Sequence, residues 1–167
     1  MEHDMFGSVS VRDSEYLKTI KNMGAQENGY LPFNKSIELA KRFQPGNPEN
    51  PDKAFLKEIL LAVQDELGID PDSGSVKAYT AIGTPLDKFH GVDAFLSIEH
   101  EGRKLMVTID ATKRPEKQAG GGKADIIVGE LPNPDEDEEG FLKAVEKIGE
   151  RISKIMREKY DSQNDGY

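Results

Sequence analysis

Residues 91–115 read GVDAFLSIEHEGRKLMVTIDATKRP and are the most strand-like part of the chain. Two runs rich in β-branched and apolar residues flank Glu101-Gly102, a two-residue connection typical of a tight hairpin. The stretch therefore predicts an antiparallel pair of strands at about 93–100 and 103–112. Because side chains alternate along a strand, Val107, Ile109 and Ala111 share one face, and Thr108, Asp110 and Thr112 share the other.

The sequence upstream of the hairpin predicts helices and one further strand. SEYLKTIKNM and NKSIELAKRF have the pattern of short helices, with Ser14 and Asn34 as candidate N-caps. NPDKAFLKEILLAVQDELG is the clearest helix, with Pro51 and Asp52 in its first turn and Gly68 at its end. VKAYTAIG is typical of a strand, and TPLDKFH is interpreted as a loop.

Downstream of the hairpin, one more strand and one long helix are expected. RPEKQAGGGK is interpreted as a loop and ADIIVGEL as a fourth strand. The acidic stretch PNPDEDEE leads into a helix that we expect to continue to about Tyr160, since acidic first turns and basic last turns match the helix dipole. The pattern indicates a mixed α/β domain with a central four-stranded sheet flanked by helices.

The length of 167 residues fits one domain. We predict a disordered tail over 1–13, a single α/β domain over 14–160 and a C-terminal tail over 161–167. Within the domain, residues 14–45 form an N-terminal helical region, and residues 51–160 form the core. The apolar residues of the N-terminal helices leave two roles open, covering the sheet or contacting a second copy in a homodimer.

Composition limits the classes of function. The chain has no cysteine, which excludes a disulfide framework and a zinc–thiolate site. Its first residues lack the basic and apolar segments of a secretory leader, and no apolar run approaches the roughly 20 residues that span a bilayer. The expectation is a soluble cytoplasmic protein without membrane association.

Two carboxylates of the hairpin could meet at one end of the sheet. Asp93 opens the first strand and Asp110 lies near the end of the second, so antiparallel pairing brings them towards each other. Two close carboxylates repel unless a cation lies between them. Mg²⁺, or Mn²⁺ in its place, suits such oxygen ligands and can activate a water for attack on a phosphodiester.

This arrangement resembles the restriction-endonuclease-like, PD-(D/E)XK nuclease superfamily. The resemblance covers roughly residues 51–160 and implies an αβββαβ core, with the N-terminal helices as an addition. It implies that Asp93 in GVD is the first acid of the motif and Asp110 in TIDAT the second. Glu58, in the preceding helix, matches an acid often supplied there, which gives Asp93, Asp110 and Glu58 as metal ligands. The implied activity is metal-dependent hydrolysis of nucleic acid.

The sequence departs from the family where a lysine is expected two residues after the second acid. Thr112 occupies that position, and Lys113 follows it on the other side of a regular strand. Three alternatives remain: a bulge redirects Lys113, Lys123 supplies the ammonium from GGGKADIIV, or the site is degenerate. Lys113 and Lys123 are therefore both candidates for orienting the attacking water.

The charge of the chain gives opposing indications about its partner. The net charge of -9 opposes general affinity for a polyanion. The segment from Arg103 to Lys123 is nevertheless basic, and we predict nucleic-acid contacts, to DNA in preference to RNA, from five residues: His90, Lys113, Arg114, Lys117 and Lys123. The alternative to a nuclease is a non-catalytic module on a degenerate nuclease fold that binds nucleic acid or a protein. As such a module, the protein could itself be an acidic inhibitor that presents a DNA-like charge surface.

Overall fold

The computed structural model describes residues 5–112 and 124–164 of the chain. The helices are α1 (Ser14–Asn22), α2 (Phe33–Arg42), α3 (Ala54–Leu67), α4 (Pro85–His90) and α5 (Glu138–Asn164). The strands are β1 (Val76–Thr80), β2 (Ala94–His100), β3 (Arg103–Ala111) and β4 (Ile126–Val128). A short 3-10 turn, Pro71–Ser73, lies between α3 and β1.

The four strands form one mixed sheet in the order β1-β2-β3-β4. Strand β2 is antiparallel to both β1 and β3, whereas β4 runs parallel to β3. The hairpin between β2 and β3 turns at Glu101 and Gly102, whose φ angles of 52° and 77° are both positive. Positive values at both positions define a type I′ turn, which matches the twist of the flanking strands. The mixed α/β sheet and the hairpin predicted from the sequence are therefore confirmed.

Helices cover both faces of the sheet. Ile59 and Val63 of α3, with Val145 and Ile152 of α5, pack against the face that carries Val107 and the other core residues of the strands. On the other face, Ile37 and Ala40 of α2 and Leu86 of α4 pack against Tyr79 and Phe95. The N-terminal helical region thus covers part of the second face, which is one of the two roles that its apolar residues allowed.

Several predicted boundaries are wrong. The N-cap of α1 is Asp13 rather than Ser14, because the Asp13 carboxylate accepts the Glu15 N–H at 2.9 Å. Helix α2 begins at Phe33 after Pro32, so Asn34 is not its cap. Helix α3 begins at Ala54, so Pro51 and Asp52 precede the first turn, while Gly68 ends the helix in the left-handed conformation as predicted.

The segment TPLDKFH is a helix, not the predicted loop. Pro85 stands at its first position and Gly91 ends it at φ 66°. Proline is tolerated at a first helical position because its missing N–H would have no intrahelical partner there. Six residues are too few for a clear apolar period, so the sequence pattern gave no helical signal.

The described parts of both ends are more ordered than predicted. Phe6 and Val9 are buried, Phe6 meets Phe55 edge to face at 5.4 Å, and the Val9 N–H donates to the Ile82 carbonyl. Residues 5–13 therefore belong to the domain and are not a disordered tail. Helix α5 continues to Asn164, past the predicted end near Tyr160.

The arrangement agrees with a restriction-endonuclease-like core only at the coarse level of a mixed sheet between helices. An αβββαβ core needs a helix between its third and fourth strands. Here the connection from Ala111 to Ile126 passes through residues 113–123, which lie outside the described residues. The described order also has the additional helix α4 between β1 and β2.

The outer edge of β1 is closed by side chain and loop rather than by another strand. The Gln44 amide accepts the Thr80 N–H at 2.9 Å through Oε1 and donates to the Thr80 carbonyl at 2.8 Å through Nε2. The Pro48 carbonyl accepts the Ala78 N–H at 2.9 Å. Gln44 therefore mimics one residue of a neighbouring strand and joins α2 to the sheet.

Replacing Gln44 with methionine should lower the free energy of unfolding by about 1–3 kcal/mol, since both backbone groups of the buried Thr80 would lose their partner. Urea denaturation measures the change. Gln26→Met, at an exposed position, is the matched control and should stay within about 0.5 kcal/mol. Equal losses in the two variants would show that the Gln44 amide does not hold the edge.

Candidate functional site

Asp93 lies immediately before β2 and is buried, with 2% of its surface exposed. In the described part of the chain it is the one carboxylate buried to this degree. Its Oδ2 accepts the Ala111 N–H at 2.9 Å, and its own N–H donates to the Ile109 carbonyl at 2.8 Å. The Asp93 carboxylate therefore contacts the peptide group that joins Asp110 to Ala111.

Asp110 is half-buried and lies on the face of β3 opposite to Ile109 and Ala111. The β2–β3 ladder pairs Ala94 with Ile109, and one further step of that register leads to Asp93 and Asp110. Val107 and Ile109 are fully buried, as predicted, whereas Asp110 and Thr112 retain partial exposure. The register thus places the two acids of the hairpin opposite each other at one end of the sheet, beside the end of β3.

The structure does not bring Glu58 to these two acids. Glu58 is a half-buried residue of α3, which packs on the Ile109 face of the sheet, opposite to the face of Asp110. Among the residues that the structure describes, no three His, Cys, Asp or Glu side chains are grouped to hold a metal. The three-carboxylate site expected from the resemblance is therefore not formed, because the sheet separates its members.

The predicted lysines cannot be placed. Thr112 is described, and its N–H donates to the Val128 carbonyl at 2.9 Å, which continues the pairing of β3 with β4. Lys113, Arg114, Lys117 and Lys123 lie outside the described residues. Their predicted roles in catalysis and nucleic-acid contact stay predictions.

His90 has a defined place in the fold. Its Nε2 lies 2.8 Å from the Leu31 carbonyl, and its ring contacts Tyr30 and Phe33 at centroid distances of 5.6 Å. These contacts join the end of α4 to the segment that leads into α2. His90 therefore holds the N-terminal region beside the strand end, and its predicted contact with nucleic acid stays a prediction.

A second group of polar residues, which the sequence reasoning missed, closes the other part of the β3 edge. Asp125 Oδ2 accepts the Thr108 N–H at 3.0 Å, and the Asp125 N–H donates to Thr108 Oγ1 at 2.9 Å. Lys159 of α5 donates to Asp125 Oδ2 at 2.8 Å and to the Met106 carbonyl at 2.7 Å. Nothing in the sequence pattern relates Lys159 to Asp125, since they are 34 residues apart.

No protein-family model, curated protein or solved structure matches the chain. Across the described residues, no helix combines the length and apolar character required to cross a bilayer. The candidate site is thus defined by its own geometry: a buried carboxylate at a strand start, hydrogen-bonded beside a second carboxylate on the neighbouring strand.

Variants of Asp93 should separate its hydrogen bond from its charge. Asp93→Asn keeps an oxygen that can accept the Ala111 N–H and removes one of the two negative charges that the register places opposite each other, so its stability should equal or exceed that of the wild type. Asp93→Ala leaves a buried N–H without this acceptor and should cost about 1–3 kcal/mol. Urea denaturation without divalent ions measures both.

Asp135→Ala, at an exposed loop position, is the control for the loss of one negative charge and should change stability by less than about 0.5 kcal/mol. If Asp93→Asn were as unstable as Asp93→Ala, the charge itself would stabilise the fold, and Asp93 would be a structural residue.

Proposed function

We propose that the protein is a metal-dependent nuclease in which Asp93 and Asp110 hold Mg²⁺ or Mn²⁺ at the end of the β2–β3 hairpin. The observation that carries this proposal is the burial of Asp93 beside the peptide group of Asp110. A buried carboxylate is costly unless it is hydrogen-bonded, and the Ala111 N–H holds Asp93 in a fixed position at the strand start.

The two acids fit a magnesium site that is completed by substrate. Mg²⁺ takes hard oxygen ligands and is commonly held by one or two carboxylates together with waters and substrate phosphates. A third protein carboxylate is therefore not required, and Glu58 has no role in the proposed site. A metal bound there would supply positive charge for the phosphate and lower the pKa of a bound water.

The chain's own residues then have distinct tasks. Asp93 is fixed by the Ala111 N–H, so one ligand is held in place before substrate binds. Asp110 is half-buried, and in this proposal it would be the second ligand, on the side from which a phosphate would approach. A lysine, Lys113 or Lys123, would stabilise the charge that develops on the phosphate and orient the attacking water.

A binding module without catalysis is the second candidate, and one observation favours it. Thr112, which stands where the nuclease motif has its lysine, is partly buried and its N–H is committed to the β4 ladder. A hydroxyl there cannot supply positive charge. In this case the same end of the sheet would bind a nucleic acid or a protein partner without cleaving it.

Incubating the protein with labelled single- and double-stranded DNA and RNA, with Mn²⁺ or with EDTA, tests the nuclease. We expect strand scission that requires the divalent ion and is abolished in Asp110→Asn. Calorimetry should show metal affinity weakened about tenfold or more in Asp93→Asn and in Asp110→Asn, because each variant loses a charged ligand. Unchanged affinity in both variants would remove the metal from this site.

Lys113→Ala and Lys123→Ala should reduce cleavage unequally, since one ammonium reaches the attacking water. Lys143→Ala, at an exposed position of α5, is the control and should leave the rate unchanged. Binding of all four substrates with no scission in Mn²⁺ would reject the nuclease and leave the binding module.

A further inference from the structure

Four aromatic rings form one contiguous patch between the N-terminal region and α4. Tyr30 meets Phe89 edge to face at 5.5 Å, and Phe33 meets His90 edge to face at 5.6 Å. Tyr30 and His90 join the two pairs at 5.6 Å. We refer to Tyr30, Phe33, Phe89 and His90 as the aromatic patch.

The aromatic patch is partly open to solvent. Tyr30, Phe89 and His90 are half-buried, and Phe33 is 37% exposed. The hydrogen bond between His90 Nε2 and the carbonyl of the buried Leu31 fixes the central ring. The exposed Phe33 ring packs against His90, whose ring is held by this hydrogen bond, and so offers an apolar surface to a ligand.

The aromatic patch lies close to the candidate site. His90 precedes Asp93 by three residues, so their Cα atoms are at most about 11 Å apart. Asp93 is in turn held against the peptide group that follows Asp110. A ligand of the length of a short oligonucleotide can therefore reach from the rings to the two carboxylates.

The local charge also differs from that of the whole chain. From Tyr30 to Arg42 there are three basic residues (Lys35, Lys41 and Arg42) and one acidic residue (Glu38), although the net charge of the chain is -9. Lys88, on α4 beside Phe89, is exposed as well. Lys41 lies over the Tyr79 ring and Arg42 over the Phe43 ring, so Lys35 and Lys88 are the cations next in sequence to the rings of the patch. Aromatic rings combined with cations bind single-stranded nucleic acid, because bases stack on the rings and the cations attract the phosphates.

We propose that the aromatic patch is a stacking platform that binds unpaired bases, so that the proposed nuclease acts on single-stranded nucleic acid. In a duplex the base faces are stacked on one another and are not available to side chains. The platform would determine which class of nucleic acid reaches Asp93 and Asp110, and in that respect the inference rests on the proposed function. Its binding step can be measured without cleavage.

Fluorescence anisotropy in EDTA at low salt, with the Asp110→Asn protein, tests the platform. The probes are a fluorescein-labelled oligodeoxythymidylate, its duplex with oligodeoxyadenylate, and an abasic deoxyribose phosphate oligomer of the same length. We expect the oligodeoxythymidylate to bind about tenfold more tightly than the abasic oligomer or the duplex, since it alone offers unpaired bases.

Substitutions of Phe33 identify the kind of contact. Phe33→Ala and Phe33→Leu should each weaken oligodeoxythymidylate binding about tenfold, and Phe33→Tyr should retain it, because stacking needs an aromatic ring and not merely apolar surface. Leu142→Ala on α5, another exposed large apolar residue, is the control and should leave affinity unchanged. Thermal unfolding confirms that each variant is folded.

Three results would overturn the platform: equal affinity for the three probes, full affinity in Phe33→Leu, or no binding of any probe. Full affinity in Phe33→Leu would show that the contact needs only apolar surface, and no binding of any probe would show that the aromatic patch does not bind nucleic acid. If base-dependent binding is lost in Phe33→Ala but wild-type protein does not cleave in Mn²⁺, the platform stands and the nuclease fails. If cleavage occurs without base-dependent binding, only the platform fails.

Discussion

The hydrogen bond from the Ala111 N–H to the Asp93 carboxylate is the interaction on which the rest of the site depends. It fixes a buried acid at the point where β2 begins and β3 ends, and it does so beside the peptide group of Asp110. Burial raises the free-energy cost of a negative charge on Asp93. Because a hydrogen bond prefers a near-linear geometry, the Ala111 N–H holds the carboxylate in one position. The geometry therefore fixes one carboxylate at the end of the sheet beside the residue that carries the second.

The two faces of the sheet have different tasks. Helices α3 and α5 bury one face with a continuous apolar core, and Ile109 and Ala111 of β3 pack into that core. Helices α2 and α4 cover the other face only in part, against Tyr79 and Phe95. The partly covered face is where Asp110 lies. Tyr30 and Phe33 of the N-terminal region contact His90 at the end of α4, three residues before Asp93. A helix outside the expected nuclease-like core, α2, thus covers part of the face that carries Asp110.

The hairpin and its acids could be predicted from sequence because their signals are local. The alternation around Asp110 and the turn residues Glu101 and Gly102 specify the strand pair, its register and the face of each side chain. The place of Glu58 could not be predicted, since a helix pattern does not state which face of the sheet the helix will cover. The same holds for Lys159 and Asp125, whose contact depends on the packing of α5 across the sheet. The prediction of a tail at the N-terminus was wrong for another reason. Phe6 and Val9 are isolated apolar residues that follow no helix or strand period, so the sequence does not show that they are buried against the rest of the domain.

The closed edge of β1 has a consequence for how the protein associates with other molecules. An exposed strand edge offers unpaired N–H and C=O groups to any extended chain, and β-rich proteins avoid uncontrolled assembly by blocking it. Here an amide side chain and a loop carbonyl occupy those groups at Thr80 and Ala78. The sheet therefore cannot be lengthened on the β1 side without displacing Gln44 and Pro48. An extended peptide therefore cannot add to the β1 edge as a further strand, and this side of the sheet is protected against amyloid-type growth.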